Sequence, residues 1–402
     1  MKFGKVGQVL LVSAIALVVA TLFTACGTIT GATLTVGFLF VTTNRQSPGQ
    51  IEVYEVDSES GGLRTIPTSP FPSGGRDPIA EAVSPDAKNL YVVNQDDNNI
   101  VQFGIGTDGK LYPQATVNTP GSFPLAIAIN SAGTFLYVVD TLQPIAGCSL
   151  NNPCPGDVAV FPIDKTTGAL GTPIANSSAY PNYWPLMVAP SDSSTVLTPT
   201  ATQLLANGNN LYVTAYNAST NAGYLFEFAA NSDGTLTPLH GNVPVSLGSE
   251  PVAMASDSGS GFVYVADKLT NLISTFTVGS TGTLSLQGTA PTGSMPSGLT
   301  LFNDQYLYAA NSGDSTVTTY SVSSGNLSRL SVSASDTQPI AITVDPRKLG
   351  FLYTVNYLGS SVSGYKIDVN SGALINAQHS PFPSTVQPTA ITGIPHNGTV
   401  TN

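Results

Sequence analysis

The 402-residue chain is 42% hydrophobic yet only 9% charged, against roughly a quarter charged in an average soluble protein, so Ser, Thr, Asn and Gly supply its polar surface. With 13 basic residues and a formal net charge of −11, it repels phosphate backbones, which argues against a nucleic-acid partner. The apolar fraction suffices for a large core, and an internal repeat removes the need to divide that core between two or three domains.

Lys2 and Lys5 precede an apolar run from Val9 to Phe23 that only Ser13 and Thr21 interrupt. The run falls short of the ~20 residues of a comfortable membrane span and suits the hydrophobic region of a signal peptide. It ends in Phe23-Thr24-Ala25-Cys26-Gly27, which resembles a bacterial lipobox, although Phe23 stands where that pattern prefers Leu. The resemblance implies acyl chains on Cys26 and a durable membrane anchor. Gly27, in place of an Asp that retains such proteins at the inner membrane, points to an outer membrane or cell surface. Ordinary secretion to the periplasm or medium and an uncleaved anchor are the alternatives. The expected division is residues 1–25 as signal peptide, 26–35 as linker, 36–395 as folded domain and 396–402 as tail.

Seven segments then repeat one pattern. A core strand rich in aromatic and β-branched residues opens each unit, as in Leu90-Tyr91-Val92-Val93-Asn94 and Leu136-Tyr137-Val138-Val139-Asp140. Another strand follows, then a turn closing on Gly-x-Leu, from Gly61-Gly62-Leu63 to Gly372-Ala373-Leu374. Glycine there supplies the positive φ of a tight turn. A polar edge strand comes next. Each unit ends at a Pro that opens a strand of small residues: Pro78, Pro124, Pro185, Pro251, Pro296, Pro339 and Pro388. Four strands per unit, seven times, predict an all-β, seven-bladed β-propeller with the small-residue strands innermost. The first core strand lacks an inner strand before it and the last inner strand lacks a core strand after it. Residues 388–394 therefore complete the blade begun at residue 38.

Two insertions break the repeat. Residues 141–157 hold Cys148 and Cys154 around the turn-rich Ser-Leu-Asn-Asn-Pro and extend a loop on the face of the Pro-opened ends; residues 190–209 extend one on the opposite face. With Cys26 set aside, Cys148 and Cys154 remain as a pair. A metal or redox site would want a nearby His or a Cys-x-x-Cys spacing, and neither occurs, so a disulfide of roughly 2 kcal/mol is expected. The Asp96-Asp97-Asn98-Asn99 run lacks a calcium cage and reads as a turn. No metal or cofactor is expected.

The spacing of Pro-x-Ala-Ile-Ala, Leu-Tyr-Val-Val-Asn and Gly-Ala-Leu resembles the seven-bladed lactonase family, which includes propeller-type 6-phosphogluconolactonases and is similar to YVTN-repeat surface proteins. The resemblance spans about residues 36–395. It implies lactone hydrolysis, for which the family's enzymes carry a His-x-His segment, an Arg-His pair and acids near the inner strands. Those segments are absent here, and His240, His379 and His396 fall outside the inner strands.

The residues before the seven prolines ring one mouth of the channel: Asp77, Phe123, Trp184, Glu250, Met295, Gln338 and Gln387. Their mixture of acids, amides and large apolar groups suits a sugar-like ligand. The alternative is a loop rim with no ligand role. Trp184 with Tyr180 and Tyr183 forms an aromatic cluster there, either loop packing or a platform for carbohydrate stacking. Glu81 replaces the apolar residue found at Ile127, Met254, Ile342 and Ile391; a buried carboxyl needs a partner or a raised pKa, and Arg76 is the nearby candidate. Two readings follow. One is an envelope propeller that binds a small ligand or a protein partner at its rim. The other is a lactone hydrolase acting in the central channel, with Glu81 as base or water-orienting group. A monomer is expected in either case.

Overall fold

A computed structural model describes residues 34–44, 47–188 and 195–396. The signal segment, the proposed lipidation residue Cys26 and most of the linker and tail lie outside the described residues. From Thr35 onward the chain forms seven antiparallel sheets. Blade 1 combines Pro388–Pro395 as inner strand with Thr35–Thr43, Gln50–Asp57 and an outer edge of Leu63–Thr65 and Phe71–Pro72. Blade 2 runs through Pro78–Val83, Asn89–Asn94, Asn99–Ile105 and Leu111–Asn118, and blade 3 through Ser122–Ile129, Phe135–Leu142, Asp157–Pro162 and Trp184–Pro185. Blade 4 begins at Thr198–Leu204, blade 5 at Pro251–Ser256, blade 6 at Pro296–Phe302 and blade 7 at Pro339–Val344. Each inner strand lies against those of its two neighbours, and Pro388–Pro395 lies between Pro339–Val344 and Pro78–Val83, closing the ring. The expected closure is therefore present, with Phe38 paired to Ile394 and Thr42 to Ala390.

The repeated motifs prove to be partners across blade boundaries. In blades 2, 4, 6 and 7 the core-strand Tyr bonds the Gly-x-Leu turn of the next blade. Tyr91 donates to the Gly168 carbonyl at 2.6 Å, Tyr212 to Gly282 at 2.6 Å, Tyr308 to Gly372 at 3.0 Å and Tyr353 to Gly61 at 2.8 Å. The last bond joins blade 7 to blade 1. The turn glycine is needed for more than its φ: at Gly109 a Cβ would stand 2.6 Å from the Phe38 ring, and at Gly282 it would stand 1.8 Å from Asn210. The core consists of the clusters between successive blades, such as Phe38, Phe40 and Val53 of blade 1 against Leu90, Val92 and Phe103 of blade 2. The outer edges of blades 1, 4 and 7 are split and that of blade 3 is short, which limits exposed pairing groups there.

One part of the expected repeat is corrected. Trp184–Pro185 does not open an inner strand; it pairs with Asp157 and Val158 as the outer strand of blade 3. The inner strand of blade 4 is Thr198–Leu204, with Pro199 opposite Ala215. The extra length lies in blade 3, whose long passage from Pro162 to Trp184 pushes the next inner strand downstream. The segment 190–209 is therefore not a loop on the opposite face. Its described part contains that strand.

Candidate functional site

The pre-proline residues occupy one end of the inner strands. Asp77, Phe123, Glu250, Met295, Gln338 and Gln387 all adopt positive φ, between 51° and 60°. A side chain in that region costs on the order of 1–2 kcal/mol, so surrounding bonds must impose it. The residue following each core strand supplies them. The amides of Asn44, Gln95, Lys268, Ser312 and Tyr357 donate to the carbonyls of Gln387, Asp77, Glu250, Met295 and Gln338 at 2.8–3.2 Å. The Phe123 carbonyl accepts from Thr141 Oγ1 at 2.7 Å. Trp184 is not brought to this ring: it is buried beside Tyr183 in the blade 3 edge, and Tyr180 meets Tyr183 edge-on at 5.5 Å between ring centres. Thr198, before Pro199, takes its register position.

Both carboxylates of this ring are engaged. Asp77 accepts from Asn44 Nδ2 at 2.9 Å, and Glu250 forms an ion pair with Lys268. Met295 is exposed. Gln338 differs, because its Oε1 is removed from solvent and meets no protein donor. Buried polar atoms are nearly always hydrogen-bonded, so such an oxygen marks a place for a donor.

Glu81 lies four residues beyond Asp77 on the blade 2 inner strand, opposite Val92. Its counterparts are Ile391, Ile127, Thr202, Met254, Leu299 and Ile342. It shares a face with Val83, which packs into the blade 1–blade 2 core. Both carboxyl oxygens are buried without a well-formed hydrogen bond. Burial pushes its pKa well above the carboxylate range, and only the Thr392 amide of the adjoining inner strand favours the charged form. Arg76 does not approach it. The Arg76 guanidinium is half exposed and bonds Asp97 Oδ1 from Nε at 2.8 Å and the Asp96 carbonyl from NH2 at 3.0 Å. The expected Glu81–Arg76 pair is thus not formed, because Asp97 on the blade 2 loop captures the arginine outside the channel. An uncharged Glu81 can donate a proton or a hydrogen bond; it is poorly suited to remove a proton from water at neutral pH.

At the opposite end of the inner strands a cleft of about 320 Å³ reaches the level of Met254 and Leu299, with Gln203, Ser256, Asp304 and Lys348 at its mouth. Sequence reading did not find it, since turn residues of four blades compose it. The three histidines are elsewhere: His240 Nε2 lies 2.8 Å from Glu227 Oε2 on the outside of blade 4, His379 follows the outer edge of blade 7, and His396 packs on Phe38. The Cys148–Cys154 disulfide is present, with Cα atoms 5.6 Å apart. Among the described residues no group of three or more His, Cys, Asp or Glu side chains could hold a metal ion.

Comparison with known proteins agrees with this architecture. The family described as Lactonase, 7-bladed beta-propeller matches residues 49–182, 242–344 and 268–389. A 6-phosphogluconolactonase of Yersinia pestis is 26% identical over 345 residues, covering 83% of this chain and 91% of its own. One from Xenorhabdus nematophila is 35% identical over 115 residues, 29% of this chain and 30% of its own. The solved periplasmic gluconolactonase of Pseudomonas aeruginosa superposes with a TM-score of 0.70 at 19% identity, covering 90% of this chain and 99% of that one, which establishes likeness of fold. On the extent of the family match and the seven closed blades, the chain belongs to the seven-bladed β-propeller lactonase family.

Proposed function

We propose that this propeller binds a small, uncharged, sugar-like ligand of the lactone class at the mouth ringed by Asp77, Phe123, Glu250, Met295, Gln338 and Gln387. The observation that carries this reading is the buried Gln338 Oε1, an acceptor without a protein donor in a ring whose two carboxylates are engaged. A ligand hydroxyl would satisfy it. The described cations nearby are already engaged, Lys268 by Glu250 and Arg76 by Asp97, so a phosphorylated lactone has less to attract it than a neutral one. Titration calorimetry with glucono-δ-lactone, gluconate and 6-phosphogluconate tests this. Binding of the neutral lactone that Gln338→Ala weakens by tenfold or more supports the reading. Absence of binding, or preference for the phosphorylated acid, refutes it.

A second reading, lactone hydrolysis in the channel, is favoured by the 26% identical relative named as a 6-phosphogluconolactonase and by the uncharged carboxyl of Glu81, which could protonate a leaving alkoxide. Lactone opening above the spontaneous rate, lost in Glu81→Gln, would support it; no turnover by the native protein removes it.

Export and a lipid tether at Cys26 form part of the proposal. A disulfide suits an oxidising compartment. Membrane fractionation of Cys26→Ala tests the tether, which fails if the variant remains membrane-bound.

A further inference from the structure

Blades 2, 6 and 7 act as internal controls for blade 3 at the rung where the core strand ends and the third strand begins. In blade 2 this rung is Asn94 and Asn99, and the Asn94 amide donates to Asn99 Oδ1 at 2.9 Å. In blade 6 the Asn311 amide donates to Thr316 Oγ1 at 3.1 Å, and in blade 7 the Asn356 amide donates to Ser361 Oγ at 3.0 Å. Each of these three rungs joins a donor to an acceptor, whereas blade 5 sets Asp267 opposite Leu272. Blade 3 differs from blades 2, 6 and 7: its rung pairs Asp140 with Asp157, both fully buried.

Two facing carboxylates have no proton to offer one another. Asp140 Oδ2 accepts the Gly121 amide at 3.1 Å, but Asp140 Oδ1 and both Asp157 oxygens find no donor. The groups acting on the pair from neighbouring elements are Thr119 and Gly121 of the connection from blade 2 and Tyr183 before the blade 3 edge, and no basic side chain is among them. Directly above lies the disulfide-closed insertion. Its ends are Gln143, whose amide bonds the Pro155 carbonyl at 3.1 Å and whose Nε2 bonds the Gly156 carbonyl at 3.2 Å.

We infer that Asp140 and Asp157 share a proton that latches the base of the blade 3 insertion, making this part of the mouth sensitive to pH. The Asp157 carboxyl donates its O–H to Asp140, restoring the donor–acceptor rung of blades 2, 6 and 7. When the proton leaves to water, two anions face each other in a buried space and the base of residues 143–156 is driven apart. Burial raises Asp140 to about 7 and Asp157 well above the ordinary range. Because the folded pKa values exceed the unfolded ones, the stabilisation is fully present in acid and declines as pH rises, first through about 7, where Asp140 ionises and accepts the Asp157 proton, and is lost when Asp157 ionises in turn.

Asp157→Asn tests the latch, since its amide can donate permanently as Asn94 does in blade 2; Asp140→Asn is the reciprocal variant. Melting temperature is followed from pH 5.5 to 8.5, together with limited proteolysis within residues 143–156. The native protein should lose about 3 °C more than Asp157→Asn across that range, and its insertion should be cleaved several-fold faster at pH 8.5 than at 5.5, whereas the variant's rate should follow only the protease's own pH profile. Parallel melting profiles for native and variant overturn the inference. So does a calcium-induced rise in native melting temperature at pH 8 that a chelator reverses and Asp157→Asn lacks, because a bound cation would then be the bridge.

Discussion

Replacing Glu81 by Ile gives this chain the residue that blades 1, 3 and 7 carry at Ile391, Ile127 and Ile342. The Glu81 carboxyl oxygens are removed from solvent with neither in a well-formed hydrogen bond. Leaving a buried polar group unsatisfied costs about 1–3 kcal/mol, and the added apolar burial contributes about 1 kcal/mol more, so Glu81→Ile should stabilise the ring by about 3 kcal/mol. Unfolding entropy of about 2.1 cal/mol/K per residue over ~360 residues converts this to a rise of roughly 4 °C in Tm. The sign of the pH effect follows from the raised folded pKa of Glu81. Its native form holds a proton that the unfolded chain releases above about pH 4.3, so native stability declines as pH rises toward the folded pKa, and the variant escapes that decline. Calorimetry at pH 5 and pH 8.5 should therefore find the variant ahead at both and further ahead at pH 8.5. A lower Tm for Glu81→Ile at both pH values would refute the reasoning, because it would mean that the carboxyl is held by a partner whose loss outweighs the relief.

Three further outcomes probe the ring itself. Tyr353→Phe removes the hydroxyl bonded to Gly61 across the blade 7–blade 1 junction and should cost about 1–2 kcal/mol, whereas Tyr264→Phe, whose hydroxyl has no partner, should be near neutral in chemical denaturation. Gly282→Ala, at φ 88° with a Cβ 1.8 Å from Asn210, should destabilise by about 3 kcal/mol or more; Gly241→Ala, at φ 64° in open space, should cost only about 1 kcal/mol, and equal costs would rule out the packing argument. Arg76→Ala should change stability by less than about 1 kcal/mol, since the Asp97 pair is solvent-exposed, and should leave Glu81's pH dependence unmoved; a changed dependence would restore the pairing that the structure lacks.

Much of this protein was legible because a repeat states its rules seven times. The Leu-Tyr cores, the Gly-x-Leu turns and the proline-opened strands set blade number, strand order and the closure of residue 38's blade by residues 388–394. That legibility failed where blade 3 departs from the pattern. A proline at position 185 satisfied the local motif as well as Pro199 does, and only pairing with Val158 decided between them. Sequence proximity suggested Arg76 for Glu81, but an arginine in a loop pairs with whichever carboxylate its reach allows, and Asp97 stood closer. The acid rung of blade 3 was present in the letters Asp140 and Asp157, yet seventeen positions and an insertion separate them. Local sequence determined strands and turns because alternation and backbone sterics act over a few residues. The partners of buried polar groups, on which any chemistry here depends, were decided only when the ring closed and brought distant strands within hydrogen-bond reach.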